Sequence, residues 1–517
     1  MGVHDYPKLT QKASEAMVTL VSHRSNSTET DSENGDKATP LFPLRAAIAF
    51  MGILAILCQY ILKVTLSVAI GGMVKPVPQE NSVDETCPLP GSANTSSSNS
   101  EGGEFEWDEV MQGYILSSYY YGYAGVNIVA GYVAARYSAR WVFTIGLLAA
   151  GVFTVLGPVC ASASPVVFMI TRILVGTFSG VIIPSMHVLI GKWFPENERQ
   201  RLGGPIFSAS YLGTVISMAL SGTIVKNLGW YSVFYIFGGV AIALVIPCLY
   251  FIYDEPESHP RITEKEKDFL LTHTGRDLKE SKEKKELEKE DEIIRNPWPA
   301  ILTCPAMWTH CLIGIGGGWV NYTLLSELPT YMENILHYDI DEAGLISALP
   351  YLFGWMSCSI YSFLTEKLTR RGVHIMTLFR AWDAVSCFGP AICFLALTFI
   401  DCDVPAIITL FVFTMVFRCA IYGGSYLNHI YLFPRAYGSA AGLYLTLGNS
   451  TGIITPIVTS AFVSGRETVQ QWKYVFYVAM TISFIPYFVF LIFGSVDNHE
   501  IKWEERREKR RKQKTGP

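Results

Sequence analysis

The stretch Lys282-Glu283-Lys284-Lys285-Glu286-Leu287-Glu288-Lys289-Glu290-Asp291-Glu292 decides the fold. Ten of its eleven residues are charged, and it lies within Asp254–Asn296, a segment holding 24 charged residues. Either side of that segment, long tracts carry almost no charge. Six apolar segments precede it, at 46–74, 109–135, 140–162, 165–191, 203–226 and 231–253. Six follow, at 302–336, 343–366, 374–400, 404–432, 438–464 and 472–495. Each exceeds the roughly 20 residues a helix needs to cross hydrocarbon. The chain therefore reads as an all-α polytopic membrane protein with twelve transmembrane helices in two sets of six.

Composition agrees. The 517 residues are 50% hydrophobic and only 16% charged, against about 25% charged for soluble domains. A soluble enzyme of two or three domains is excluded. Five regions follow: a polar tail at 1–45, a first bundle at 46–253, a charged linker at 254–301, a second bundle at 302–495 and a basic tail at 496–517. The 6+6 division is the gross pattern of the major facilitator architecture, in which two bundles flank a midplane site. Basic residues orient the chain. Only Lys75, Lys226, Arg466 and Lys473 fall on the side opposite the linker, so both termini are expected in the cytoplasm. No cleaved signal peptide is read, and the first apolar segment serves as the anchor.

Loop 75–108 then lies outside or in a lumen, and Asn94-Thr95-Ser96 within it is a glycosylation sequon. The sequons at Asn26, Asn321 and Asn449 should be silent. The 11 cysteines show no CxxC pair or metal spacing and read as packing residues. Cys87 and Cys402 face the same side, where a bridge is the alternative. No metal site, cofactor motif or nucleic-acid patch is read, and GxxxxGK[ST], HExxH and GxSxG are all absent. The expected partners are the bilayer and a small solute, with the chain acting as a monomer.

Ionisable residues inside spans are expensive and usually functional. Lys63 in span 1, Arg172 in span 4 and Arg418 in span 10 stand on helices expected to line a central cavity, and they point to an anionic solute. The competing reading is that each pairs for structure alone. Arg380 and Asp383, three residues apart in span 9, read as a local pair. Glu327 in span 7, and His187, His310 and His429 in spans 4, 7 and 10, are candidates for proton coupling; His187, Glu327 and His429 are the coupling residues carried forward. Gly176 and Gly180, spaced as GxxxG, permit close helix approach. Gly316-Gly317-Gly318 reads as a bending gate, with plain packing as the alternative. Tyr6-Pro7-Lys8-Leu9 and Glu266–Leu271 fit sorting signals that also arise by chance.

Several strings, in order and at matching spans, resemble the solute carrier 17 family of anion transporters, which groups sialin, sodium–phosphate cotransporters and vesicular glutamate transporters. They are Lys63-Val-Thr-Leu-Ser-Val-Ala-Ile, Gln112–Tyr123, Arg172-Ile-Leu-Val-Gly followed by Pro184-Ser-Met-His187, Asn321–Tyr331, Leu349-Pro-Tyr-Leu352, and Asn428-His429 with Pro434-Arg435. The resemblance implies a twelve-span facilitator moving phosphate or organic anions, driven by Na+ or H+. It adds Tyr120, Asn321 and Tyr322 to Lys63, Arg172 and Arg418 as substrate-binding candidates, and Pro184 to Gly176, Gly180 and Gly317 as gating or packing residues. Departures matter. Lys63 stands where the family usually has Arg, which loses a bidentate grip. Ser179 stands where many members have Glu, and Gly316–Tyr322 lacks the span 7 Arg of the glutamate carriers. These departures argue against glutamate transport. The expected function is secondary active anion transport by alternating access, in the plasma membrane or a lysosomal or vesicular membrane. A non-transporting sensor and a passive anion channel are the alternatives.

Overall fold

Hydrocarbon offers backbone N–H and C=O groups no water, so long apolar segments must satisfy them internally as helices. A computed structural model of the chain describes residues 43–75, 103–273, 296–336, 338, 340–400, 402–463 and 468–514. Among these, β structure is confined to one isolated bridge between Val74 and Phe105. The first half supplies α1 (Leu44–Met73), α2 (Glu109–Arg136), α3 (Ala139–Ala163), α4 (Pro165–Trp193), α5 (Glu196–Leu228) and α6 (Trp230–Phe251). The second supplies α7 (Pro305–Tyr322), α8 (Ile340–Arg370), α9 (Ile375–Leu397), α10 (Val404–Arg418), α11 (Tyr437–Val463) and α12 (Val469–Phe493). A linker helix (Glu264–His273) and a tail helix (His499–Lys514) flank the second half. These twelve crossings fall on the twelve apolar segments.

Among the described residues, nine helices are long and apolar enough to cross a membrane on length and composition alone. The three crossings that fall short are α2, α7 and α11. Tyrosine, serine and glycine interrupt α2, a π-helical turn at Thr323–Glu327 interrupts α7, and Gly, Ser, Thr and Asn dilute α11. All three meet at one seam, because α11 packs along both α2 and α7. Low hydropathy here marks an interior surface.

Small residues set the helix spacing. A Cβ on Gly180 would stand 2.8 Å from the Tyr123 carbonyl, and one on Gly176 would collide with the Tyr119 carbonyl. The two glycines therefore let α4 lie against α2. Across the halves, a Cβ on Gly442 would stand 2.6 Å from the Asn127 carbonyl, so α2 and α11 touch almost backbone to backbone. α4 is irregular at Val181. Pro184 follows, and it has no N–H to return to the Gly180 carbonyl.

Carboxylates close the linker side. Glu266 accepts from the backbone N–H groups of Leu44 and Arg45 at 3.0 and 3.1 Å, capping α1. Glu500 does the same for α11, accepting from Ala436 N at 2.8 Å and pairing with Arg435 Nε at 3.0 Å. Burial pushes the Glu500 carboxyl up against the pull of Arg435. Arg201 on α5 reaches Glu366 on α8 at 3.8 Å, and Arg370 holds the same carboxylate at 2.6 Å. That pair joins the two halves.

Candidate functional site

The site is built on a helix that stops. After Arg418 the chain takes a 3₁₀ turn (Cys419–Tyr422), passes Gly423-Gly424, takes a second turn (Ser425–Leu427) and resumes as helix over Asn428–Leu432. Side chains of α8 and α9 satisfy the freed backbone groups. Thr365 Oγ1 donates to the Gly423 carbonyl at 2.8 Å, Ser362 Oγ donates to the Tyr422 carbonyl at 3.3 Å, and Asp383 Oδ1 accepts from Ser425 N at 3.1 Å. Span 10 is therefore two pieces, although its sequence reads as one. Asp383 serves this break. It forms no ion pair with Arg380, whose side chain is exposed, because the carboxylate is buried toward α10; the expected local pair is corrected.

Arg418 sits at the break. Its Nε donates to the Gly317 carbonyl at 3.1 Å and its Nη1 to Ser386 Oγ at 2.6 Å. Nη2 makes no hydrogen bond among the described residues, and Arg418 lines a cavity of about 90 Å³ between the halves. The guanidinium lies where a side chain on Gly317 would have to go. The glycine run therefore makes room for a cation. Helix Pro305–Tyr322 is continuous through the run, and the irregularity comes next, at the π turn. Glu327, half-buried, ends that turn.

The cavity draws on both halves. Seven tyrosines are among its described lining residues, with Asn321, Asn449, Ser210 and Thr214, and Arg418 is the one charged group. Lys63 and Arg172 stand behind the lining. Lys63 Nζ donates to the Tyr322 hydroxyl at 3.0 Å, and that hydroxyl donates to Asn449 Oδ1 at 2.9 Å. Four rings, Tyr60, Tyr120, Tyr123 and Tyr322, surround the ammonium at 4.6–5.3 Å, a cation–π cage. Arg172 lies over Tyr119, with Nη2 3.5 Å from the Lys63 carbonyl, while Nε and Nη1 have no partner among the described residues. Lys63, Arg172 and Arg418 are 3%, 2% and 8% exposed. None of the three makes an ion pair among the described residues.

On the linker side of the cavity, three fully buried histidines converge from α4, α7 and the resumed helix after α10. His310 Nε2 and His429 Nδ1 are 3.4 Å apart, and the His187 and His429 rings meet edge-on at 4.8 Å. His310 stacks on Tyr444, a cavity residue, at 4.1 Å. The sequence presents these histidines as separate residues, and nothing local to any of them signals the cluster. The lining tyrosines Tyr211, Tyr351, Tyr422 and Tyr444 were likewise not expected. Among the described residues no group suited to a metal ion occurs. Nine described cysteines are free, while Cys402 is disulfide-bonded. Asn94, Asn26, Cys87 and the Tyr6–Leu9 string lie outside the described residues.

Twelve crossings in two sets of six, with a broken helix lining a cavity between them, define a major facilitator protein, and residues 48–456 match the Major Facilitator Superfamily. The xylose symporter XylE, bound to 6-bromo-6-deoxy-D-glucose, shares the fold at 14% identity, with a TM-score of 0.64 over 89% of this chain and 99% of that one. Sialin of Homo sapiens is 30% identical over 487 residues, covering 90% of this chain and 96% of sialin. A putative inorganic phosphate cotransporter of Drosophila melanogaster is 30% identical, over 88% of this chain and 85% of that one. The chain belongs to the solute carrier 17 family within that superfamily. It is an integral multi-pass membrane protein of a transporter family, not an enzyme.

Proposed function

We propose that this protein is a secondary active transporter of small anions, inorganic phosphate or organic, working by alternating access. One observation carries the reading: three cations are buried in the spans with no carboxylate partner among the described residues. An uncompensated buried charge is costly. An anion entering the cavity supplies the missing countercharge, so its binding favours the state that encloses it. The name of the Drosophila relative, a putative phosphate cotransporter, supports an anionic cargo. The bundles 46–253 and 302–495 rock about the cavity. The Lys63–Tyr322 hydrogen bond and the Arg201–Glu366 pair cross between them and would break and re-form.

The histidine cluster favours H+ over Na+ as the coupling ion. It lies against the cavity and draws on both halves, so its surroundings change as they rock. The transporter needs no cofactor and works as a monomer, with both termini in the cytoplasm of a plasma, lysosomal or vesicular membrane. The test is flux of labelled phosphate and organic anions into proteoliposomes holding the full chain, with pH, sodium and potential varied independently. Saturable accumulation against a gradient supports the reading. Ligand-induced stabilisation without flux would make the protein a sensor. Electrodiffusion without accumulation would make it a channel.

A further inference from the structure

We infer that the tail helix His499–Lys514 is a docking surface for anionic phospholipid headgroups in the leaflet on the linker side of the membrane.

The helix carries eight basic residues against four acidic ones. A tail that only marked one side of the membrane could be any basic segment, ordered or not. This one is a helix whose first glutamates turn inward. Glu500 is fully buried and accepts from the N–H groups of Arg435 and Ala436. Glu504, one turn on, holds Arg435 Nη2 at 2.9 Å. Trp503, on the same side, packs against the core. With these anchors inward, Lys502, Arg506 and Lys509, spaced i, i+4, i+7, share the opposite face, and Arg510 flanks them. All four are exposed. Lys502 pairs with Asp497 at 2.7 Å, both exposed, and such a pair is worth little in water. Arg506, Lys509 and Arg510 make no ion pair among the described residues.

The placement suits a membrane surface. The first turn lies at the start of α11, where His499 meets Phe433 at 5.9 Å and Glu500 holds Ala436 N. Lys502 and, one turn further, Arg506 are within electrostatic reach of Cys304, at the start of α7. The helix also packs on a short helix, Trp298–Leu302, that leads into α7. A segment running from the start of one span to the start of another lies along the membrane surface instead of projecting from it. Leu302 and Trp308 are exposed beside it, with Trp308 Nε1 donating to the Leu302 carbonyl at 2.9 Å. An exposed tryptophan beside an apolar side chain belongs at the headgroup boundary. Cations held at that level sit within the roughly 8 Å over which salt leaves charges attracting one another.

The local field is also positive. α7 starts with no acidic residue in its first turn and no side-chain cap, so its positive helix end adds to the field of Lys502 and Arg506. A phosphate-bearing headgroup offsets both. Each basic residue close to an anionic surface adds about fivefold to the attraction.

The experiment follows hydrogen exchange of the tail helix in the full-length protein, held in lipid nanodiscs of phosphatidylcholine alone or with phosphatidylserine. It needs no flux, so its outcome is separate from that of the transport assay. Exchange over residues 499–510 should slow about tenfold in the anionic discs, and the difference should fade in about 1 M salt. Lys502→Gln, Arg506→Gln, Lys509→Gln and Arg510→Gln combined should remove the lipid dependence. The same variant should keep its melting temperature in neutral discs, because all four side chains are exposed. Glu505→Gln, which removes an exposed negative charge, should strengthen the lipid dependence. Equal exchange in both discs, or lipid dependence surviving in the combined variant, would overturn the proposal. Equal protection in neutral discs from soluble glycerophosphoserine would overturn it too, making the surface a site for free phosphate. Protection by polyglutamate but by neither lipid would make it a docking face for an acidic protein instead.

Discussion

The Lys63 ammonium donates to the Tyr322 hydroxyl across 3.0 Å, tying α1 of one half to α7 of the other. Tyr322 then donates to Asn449 on α11 at 2.9 Å. The bond is the one hydrogen bond that the Lys63 ammonium makes among the described residues, and hydrogen bonds to charged groups are worth about 1.5–3 kcal/mol. Tyr322→Phe keeps the ring and removes the tie. It should shift the balance between closed and open cavity by roughly ten- to a hundredfold, read as faster thiol labelling of a cysteine placed at Asn321. Labelling at the wild-type rate would show that the bond does not hold the halves.

Arg172→Ala removes a buried guanidinium with two unpartnered nitrogens. If the charge attracts substrate, anion uptake should be lost at normal membrane abundance. If the residue is merely structural, abundance and thermal stability should fall instead. Uptake at the wild-type level would remove Arg172 from the anion's path.

Gly317→Ala places a methyl group on the Arg418 guanidinium. Overpacking of this kind costs about 1–3 kcal/mol, and here it also displaces the cavity's cation. Uptake should fall at least tenfold, more than the change in melting temperature explains. Gly239→Ala, with open space where its Cβ would go, is the control and should behave as wild type.

His429→Gln and His310→Gln each retain hydrogen-bonding capacity but cannot carry a proton. Wild-type uptake should rise as the source compartment is acidified. Both variants should show a flattened profile and lose accumulation driven by a pH gradient, while counterflow exchange persists. An unchanged profile would exclude the cluster as the coupling site.

Glu500→Ala removes the acceptor for the N–H groups of Arg435 and Ala436. Orphaned groups of this kind cost about 1–3 kcal/mol. The purified protein should melt at a lower temperature, with the half-saturating concentration for substrate little changed.

The architecture was legible because hydrocarbon imposes a length and because charge marks the linker. The apolar run 46–74 marks span 1, and α1 runs Leu44–Met73. The interruptions were hidden. Spans 7 and 10 read as unbroken apolar runs, yet one holds a π turn and the other stops after Arg418, because the groups that satisfy the freed backbone come from other helices. Arg418 was visible as a charge in an apolar run. Its dependence on Gly317 was not, since 101 residues separate them. Tyr211, Tyr351 and Tyr444 meet only through tertiary packing, as do the three histidines.

The overlap between Gly317 and Arg418 also constrains how this chain can change. Altering either position alone damages the site, one by crowding and the other by loss of charge. Altering both together relieves the first problem and can restore the second. Gly317→Arg combined with Arg418→Ser would carry the cation on α7 instead of α10, through intermediates that each work less well. The two positions are coupled through that contact, and the effects of their substitutions should not add.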